Sequence, residues 1–180
     1  MTETTRFAGV TFAYIVCFWL STVGLPSASV GLGYFSTDYA SLLFLPHGIR
    51  VITAWLYGWK SILYLAPASY ATHFWRLDGE FVSWSVFMMP FVGMVCVAAT
   101  FAAIARFGAD LRLRPGYIAP WKDVLLVGAL ASVVNAVCSN FLAQNSLDRI
   151  LYYLLGDVLG MLTLFVALML AFKAARRFGL

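Results

Sequence analysis

The sequence predicts an all-α integral membrane protein, a bundle of six spanning helices with both termini in the cytoplasm. Three observations predict it. Of the 180 residues, 62% are hydrophobic and only 11% are charged, against about a quarter charged in soluble domains, so polar side chains are too few to cover a water-facing globule. The apolar residues gather into six runs of roughly spanning length. Finally, the cations stand at the ends of those runs and fall unevenly on the two sides.

The first segment, about 7–25, follows Arg6. A secretory signal would also show a cation, an apolar core and small residues such as Ser27-Ala28-Ser29. This run is long for a signal core and long enough to span, so it is read as a membrane helix. Pro26 to Asp38, rich in Gly and Ser, follows as an external loop. The second segment, about 39–57, is expected to break near its middle at Pro46 and Gly48. Proline deletes a donor and clashes with the preceding turn, and glycine adds freedom. Gly58-Trp59-Lys60 makes a tight turn into the third segment, about 61–75, which is short and holds Pro67. Two interrupted segments joined by three residues resemble the broken helices that build midplane sites in transporters. Arg76–Glu80 is a polar loop in which Asp78 and Glu80 read as a solvated turn. The fourth segment is about 81–105. Arg106–Lys122 is the one substantial hydrophilic connection, and the fifth and sixth segments are about 123–143 and 149–172. Residues 1–180 are thus read as a single polytopic membrane domain. After Phe172 only "KAARRFGL" follows, so any output step is expected to belong to another chain.

Counting cations sets the orientation. With six spans, Arg6, Lys60, Arg106, Arg112, Arg114, Lys122, Lys173, Arg176 and Arg177 share one side, and Arg76 and Arg149 the other. Nine against two places both termini in the cytoplasm. The net charge of +4 therefore serves as a topology signal. No basic stripe is interleaved with aromatics, and no nucleic-acid partner is expected. Trp19, Trp59, Trp75, Trp84 and Trp121 fall near run ends, as in interfacial belts. Cys17, Cys96 and Cys138 lie within apolar runs without CxxC spacing and read as buried free thiols.

The polar residues inside the runs are the candidate functional residues. Arg50 lies about 10 Å from the cytoplasmic face at the helical rise of about 1.5 Å per residue. A charge at a helix centre costs about 2.5–3.5 kcal/mol on insertion scales, and arginine cannot deprotonate to escape it. It must snorkel to the interface, sit in a wet cavity or find a partner. The expected partner is Asp157, the acid deepest inside any span, about 12 Å from the outer face. His47 and Asn135 fall near the depth of Asp157, which suggests a shared pocket opening outward. The competing reading is structural, with an ion pair clamping two helices and Asn135 as interhelical glue. His73 and His47 together would be the only pair able to hold haem or a metal, and neither a metal nor a cofactor is expected. Gly156 and Gly160 form a GxxxG that permits close helix approach, and Ala98/Ala102 and Ala99/Ala103 give similar small-residue faces. No hydrolase elbow, phosphate loop, zinc spacing or carboxylate pair occurs, so no enzyme is expected.

"FLPHGIRVITAWLYGWKSILYLAPASYATH" resembles the W-P-x-G-I/L…L-x-G segment of bacterial membrane-associated sensor domains of the MASE type, first class. "WKDVLLVGALASVVNAV" and "LLGDVLGMLTLF" resemble later segments of that family. The likeness covers roughly residues 44–74 and 121–168, and the matching motif positions are Pro46, Gly48, Asp157 and Gly160. Leu45 stands where the family usually has tryptophan, and His47 where it has proline or a small residue. The resemblance implies an integral-membrane sensory or ligand-binding module of a bacterial cytoplasmic (inner) membrane, and it does not imply enzyme activity. Three functions then compete. One is a stand-alone sensor-like or accessory module that binds a ligand or partner protein. The second is a small-solute transporter or its substrate-binding subunit, similar in size to the binding subunits of energy-coupling-factor transporters. The third is a structural subunit of a larger membrane complex. The expected partners are the lipid bilayer, another membrane or cytoplasmic protein, and a small-molecule ligand.

Overall fold

The computed structural model describes residues 2–24, 43–77, 83–117, 119–143 and 147–178. The expected Pro26–Asp38 loop and the Asp78/Glu80 turn lie outside these residues. Six α-helices form among them: α1 (Glu3–Trp19), α2 (Leu45–Tyr57), α3 (Lys60–Arg76), α4 (Trp84–Arg106), α5 (Trp121–Ala143) and α6 (Leu147–Arg177). A π-helical turn, Leu20–Gly24, extends α1. No strand forms among the described residues; one isolated bridge pairs Arg114 with Tyr117. Four helices, Glu3–Val23, Trp84–Arg106, Trp121–Ala143 and Ile150–Arg177, are long and apolar enough to cross a membrane.

The helix ends follow local chemistry. α1 begins four residues before its apolar run because the Thr2 hydroxyl caps the Thr5 amide at 3.3 Å and Arg6 pairs with Glu3 one turn away at 3.3 Å. The Ser83 hydroxyl caps α4 at the Val86 amide. α6 outruns its apolar stretch through Lys173–Arg177, because alanine, lysine and arginine are strong helix formers that nothing there interrupts.

Two expected breaks are corrected. Pro46 does not interrupt a helix; it sits in the first turn of α2, where a missing amide hydrogen costs nothing because that position has no helical acceptor. Gly48 continues the same helix, and its bare Cα is a packing surface. A Cβ there would come within 2.8 Å of Leu164 Cδ2 and 3.2 Å of Met161 Cα on α6. α3 runs without interruption through Pro67. The pyrrolidine deprives only the Leu63 carbonyl of its partner, on an exposed face.

The Gly58 turn forms as expected between α2 and α3. Gly58 adopts φ +56°, a left-handed conformation suited to glycine, and donates to the Ala54 carbonyl at 2.8 Å. The two short helices make a hairpin in the middle of the bundle. α2 packs against α1, α3, α4, α5 and α6; at 13 residues it is about 20 Å long, and it is the hub of the fold. One core cluster joins Val51 and Ala54 of α2 to Val97, Phe101, Val124, Val127, Ala131 and Met161. A second joins Tyr14, Leu65, Ala68 and Met94. Apolar side chains gain little by leaving lipid, so close van der Waals packing and buried hydrogen bonds hold such a bundle. The five tryptophans expected at run ends are all exposed.

The connection between α4 and α5 folds back onto the hairpin. The Leu113 amide donates to the Trp55 carbonyl at 2.9 Å. Asp110 accepts from Arg112 Nε at 2.8 Å and Nη2 at 2.9 Å, and lies 3.6 Å from Arg114 Nη1. The bidentate Arg112 contact, helped by the Arg112 amide and the charge of Arg114, holds the Asp110 carboxyl down at about 2.

Candidate functional site

The buried polar side chains gather around α2 in two groups on either side of that helix. The first joins α2, α5 and α6. Asn135 Nδ2 donates to Asp157 Oδ2 at 2.8 Å, and Ser139 Oγ donates to Asn135 Oδ1 at 3.3 Å. His47 Nδ1 lies 3.4 Å from the same Asp157 oxygen. The other ring nitrogen, Nε2, lies 2.9 Å from Ser132 Oγ and 3.3 Å from the Gly128 carbonyl. Ser132 Oγ also reaches that carbonyl at 3.0 Å. His47 and Ser132 have no exposed surface, and Asp157 is 3% exposed.

This order of groups, hydroxyl to imidazole to carboxylate, is that of a hydrolase triad, in which the carboxylate orients the imidazole. Ser132 is fully enclosed, however, and bonds back to the carbonyl four residues earlier. What the arrangement does chemically is fix the position of a carboxylate and an imidazole between three helices. Hydrogen bonds join Asn135 to Asp157 and Ser132 to His47, while the buried His47 Nδ1 faces Asp157 without a hydrogen bond.

The second group joins α2 to α1, α3 and α4. Arg50 Nη2 donates to the Tyr14 hydroxyl at 2.8 Å, and the Tyr14 oxygen lies 3.3 Å from Ser69 Oγ. The Arg50 Cζ stands 5.6 Å from the Tyr14 ring centroid and 5.5 Å from that of Phe44, within cation–π range. Arg50 Nη1 rests on Gly93 of α4; a Cβ on that glycine would stand 2.6 Å from it.

Two backbone contacts set the position of α2. The Phe44 amide donates to the Gly156 carbonyl at 3.0 Å, and the Leu45 amide donates to Ser21 Oγ at 3.0 Å. The chain entering α2 lies directly on Gly160, where any Cβ would overlap the Phe44 backbone. The expected GxxxG is therefore the seat of the chain that leads into α2.

All four expected cluster residues, His47, Arg50, Asn135 and Asp157, are buried. His47, Asn135 and Asp157 come together as expected. The expected Arg50–Asp157 ion pair does not form: no salt bridge joins them among the described residues, because Asp157 faces α5 while Arg50 turns toward α1 and α4. His73 lies apart from His47, with Nε2 2.9 Å from the Val86 carbonyl. No group of three or more His, Cys, Asp and Glu side chains is placed to hold a metal among the described residues.

Tyr14, Ser69, Gly93, Gly128, Ser132 and Ser139 do not stand out in the sequence alone. For α5 the signal is present. Gly128, Ser132, Asn135 and Ser139 recur every three to four residues, so small and polar groups share one helical face. For Tyr14 and Gly93 no local signal exists; their roles arise from packing. Comparisons with family models, curated proteins and solved structures return no match.

Proposed function

We propose that this chain is a stand-alone, sensor-like or accessory module of a bacterial inner membrane, which binds a ligand or partner protein and passes its state to another chain. In this reading six spans cross the bilayer, and both termini and the 107–120 connection lie in the cytoplasm, as the nine-to-two cation bias supports. The observation that carries the reading is the pair of buried polar groups on opposite sides of α2. A helix in contact with every other helix, and tied by His47 to α5 and α6 and by Arg50 to α1, can transmit a local change across the bundle. The positions that carry the resemblance to MASE-type sensor domains support it too. Gly48, Asp157 and Gly160 lie at the α2–α6 seam, and Pro46 lies in the first turn of α2.

A second reading, a substrate-binding subunit of a small-solute transporter, is favoured by one observation. Arg50 has a donor left unused among the described residues: its Nε is buried and without an acceptor. Native mass spectrometry of the protein released gently from its own membranes separates the two. The accessory reading expects a stoichiometric assembly with a second polypeptide. A monomer that carries a small molecule and has no protein partner would reject it in favour of the transporter subunit.

A further inference from the structure

We propose that Arg50 is the anchor of an anion site inside the bundle, and that the site takes the carboxylate of a small organic acid with an apolar or aromatic body. The proposal rests on the ligand-binding reading above and names the ligand's chemical class.

The guanidinium carries a permanent charge and five N–H donors. Among the described residues one of them is accepted, by the Tyr14 hydroxyl. Nε is buried with no acceptor, and the residue as a whole is 7% exposed. No carboxylate lies within ion-pair distance among the described residues, and Asp157 is engaged by Asn135 and His47. A buried cation left this way lacks both a counter-charge and hydrogen-bond acceptors. One carboxylate supplies both, because its two oxygens match the planar donor fork.

The surroundings are built to hold the guanidinium in place. Gly93 clears room for Nη1, and only a residue without a Cβ does so. Tyr14 is itself held by Ser69. The partly exposed Phe44 ring, 5.5 Å from the guanidinium, offers an apolar face to the body of a ligand, while the Tyr14 ring is packed in the core. A monoanion is the matching charge: Arg50 is the only lysine or arginine within α2, so a dianion would leave one negative charge without a partner on that helix. A phospholipid head is a poorer fit, because Arg50 lies on the central helix, enclosed by the others.

The test is thermal unfolding of the purified protein in phosphatidylcholine nanodiscs, at constant ionic strength. Acetate, hexanoate, benzoate and succinate are each compared with the corresponding neutral amide. At least one acid is expected to raise the midpoint in a saturable way while its amide does not. Arg50→Gln should abolish the shift, and Arg50→Lys, which keeps the charge without the fork, should weaken it. No shift from any acid, or equal shifts from acid and amide, overturns the proposal without need of a variant. An undiminished shift in Arg50→Gln overturns it as well. Repeating the wild-type series in phosphatidylglycerol nanodiscs tests the other source of an anion. Loss of the acid response there, with a lipid retained in native mass spectra, would assign the site to a headgroup and reject the small acid. A partner complex without any acid response sinks this proposal alone; an acid response without a partner sinks the accessory reading alone.

Discussion

At the scale of single residues, the buried polar side chains differ in how they are satisfied, and this difference predicts how each responds to mutation. Asp157 holds Asn135 and faces His47, so Asp157→Ala strands two buried groups. A loss of about 1–3 kcal/mol is expected for such orphaned partners, measured by reversible unfolding in mixed micelles. A double-mutant cycle between Asn135→Ala and Asp157→Ala should return a coupling of about 0.6 kcal/mol, with about 1.7 as the upper range for membrane bundles. The same cycle between Arg50→Ala and Asp157→Ala should return a smaller coupling, because no direct contact joins them. A larger Arg50–Asp157 coupling would show that the pair acts as a clamp after all. The sequence gives good reason to expect that clamp: both residues are deep in apolar runs, opposite in charge and one to two turns apart in depth. Depth can be read from spacing along a run. The direction a side chain takes around its helix axis depends on packing against other helices, and there the reading from spacing fails. His47, Asn135 and Asp157 are legible as a group because they share a level and also happen to share a side.

At the scale of elements, the glycines separate into those that seat a helix and those that do not. Ala replaces Gly in a helix with a gain of about 1 kcal/mol where space allows. Gly9, in α1, has nothing within 4 Å of where a Cβ would stand, so Gly9→Ala should stabilise the protein. Gly160→Ala should destabilise it most of the set, because the added carbon meets the Phe44 backbone, which cannot rotate away. Gly48→Ala and Gly128→Ala should fall between, because their nearest neighbours are the side chains of Leu164 and Met161. Overpacked sites cost about 1–3 kcal/mol, and a melting series of the four variants tests the order. Any order that places Gly160→Ala above Gly9→Ala in stability contradicts the seat. The 107–120 connection adds a pH-dependent element. Its Asp110 carboxyl sits at about 2 in the folded chain, against about 3.9 unfolded. A depressed carboxyl stabilises the fold fully above about pH 3.9 and loses that contribution as the pH falls through about 2. Protection of the Leu113 amide from hydrogen exchange should therefore drop between about pH 4 and about pH 2, and Asp110→Asn should remove that step. Pro46 shows why local rules misread one element: proline breaks a helix interior but suits a first turn. The sequence pattern does not reveal where α2 begins, because the apolar run continues through Leu42–Leu45.

At the scale of the whole molecule, the question is how a 13-residue helix belongs to a membrane bundle. α2, about 20 Å long, cannot cross about 30 Å of hydrocarbon unaided, whereas α6, with 31 residues and about 46 Å, overshoots it. Counting runs in the sequence treats α2 and α3 as ordinary spans. The alternative is a re-entrant hairpin dipping in from the outer side, and parity does not separate the two, since four or six crossings both return the termini to one side. The geometry of the hairpin tip supports the proposed six-span reading, and labelling tests it. Tyr64 of α3 hydrogen-bonds Glu3 at the start of α1, and Arg6 lies over the Tyr57 ring at 5.9 Å. At the same end, the 107–120 connection reaches the Trp55 carbonyl, and Arg112 Nη1 lies 3.7 Å from where a Gly58 Cβ would stand. The tip thus meets the first turn of α1 and the most cationic connection, both of which the proposed topology puts in the cytoplasm. We expect Lys60→Cys and Gly108→Cys, each placed in a chain whose native cysteines are serine, to react with a membrane-impermeant maleimide only after the cells are opened. Reaction of Lys60→Cys in intact cells, with Gly108→Cys still protected, would show that the hairpin opens to the outside and that only four helices cross.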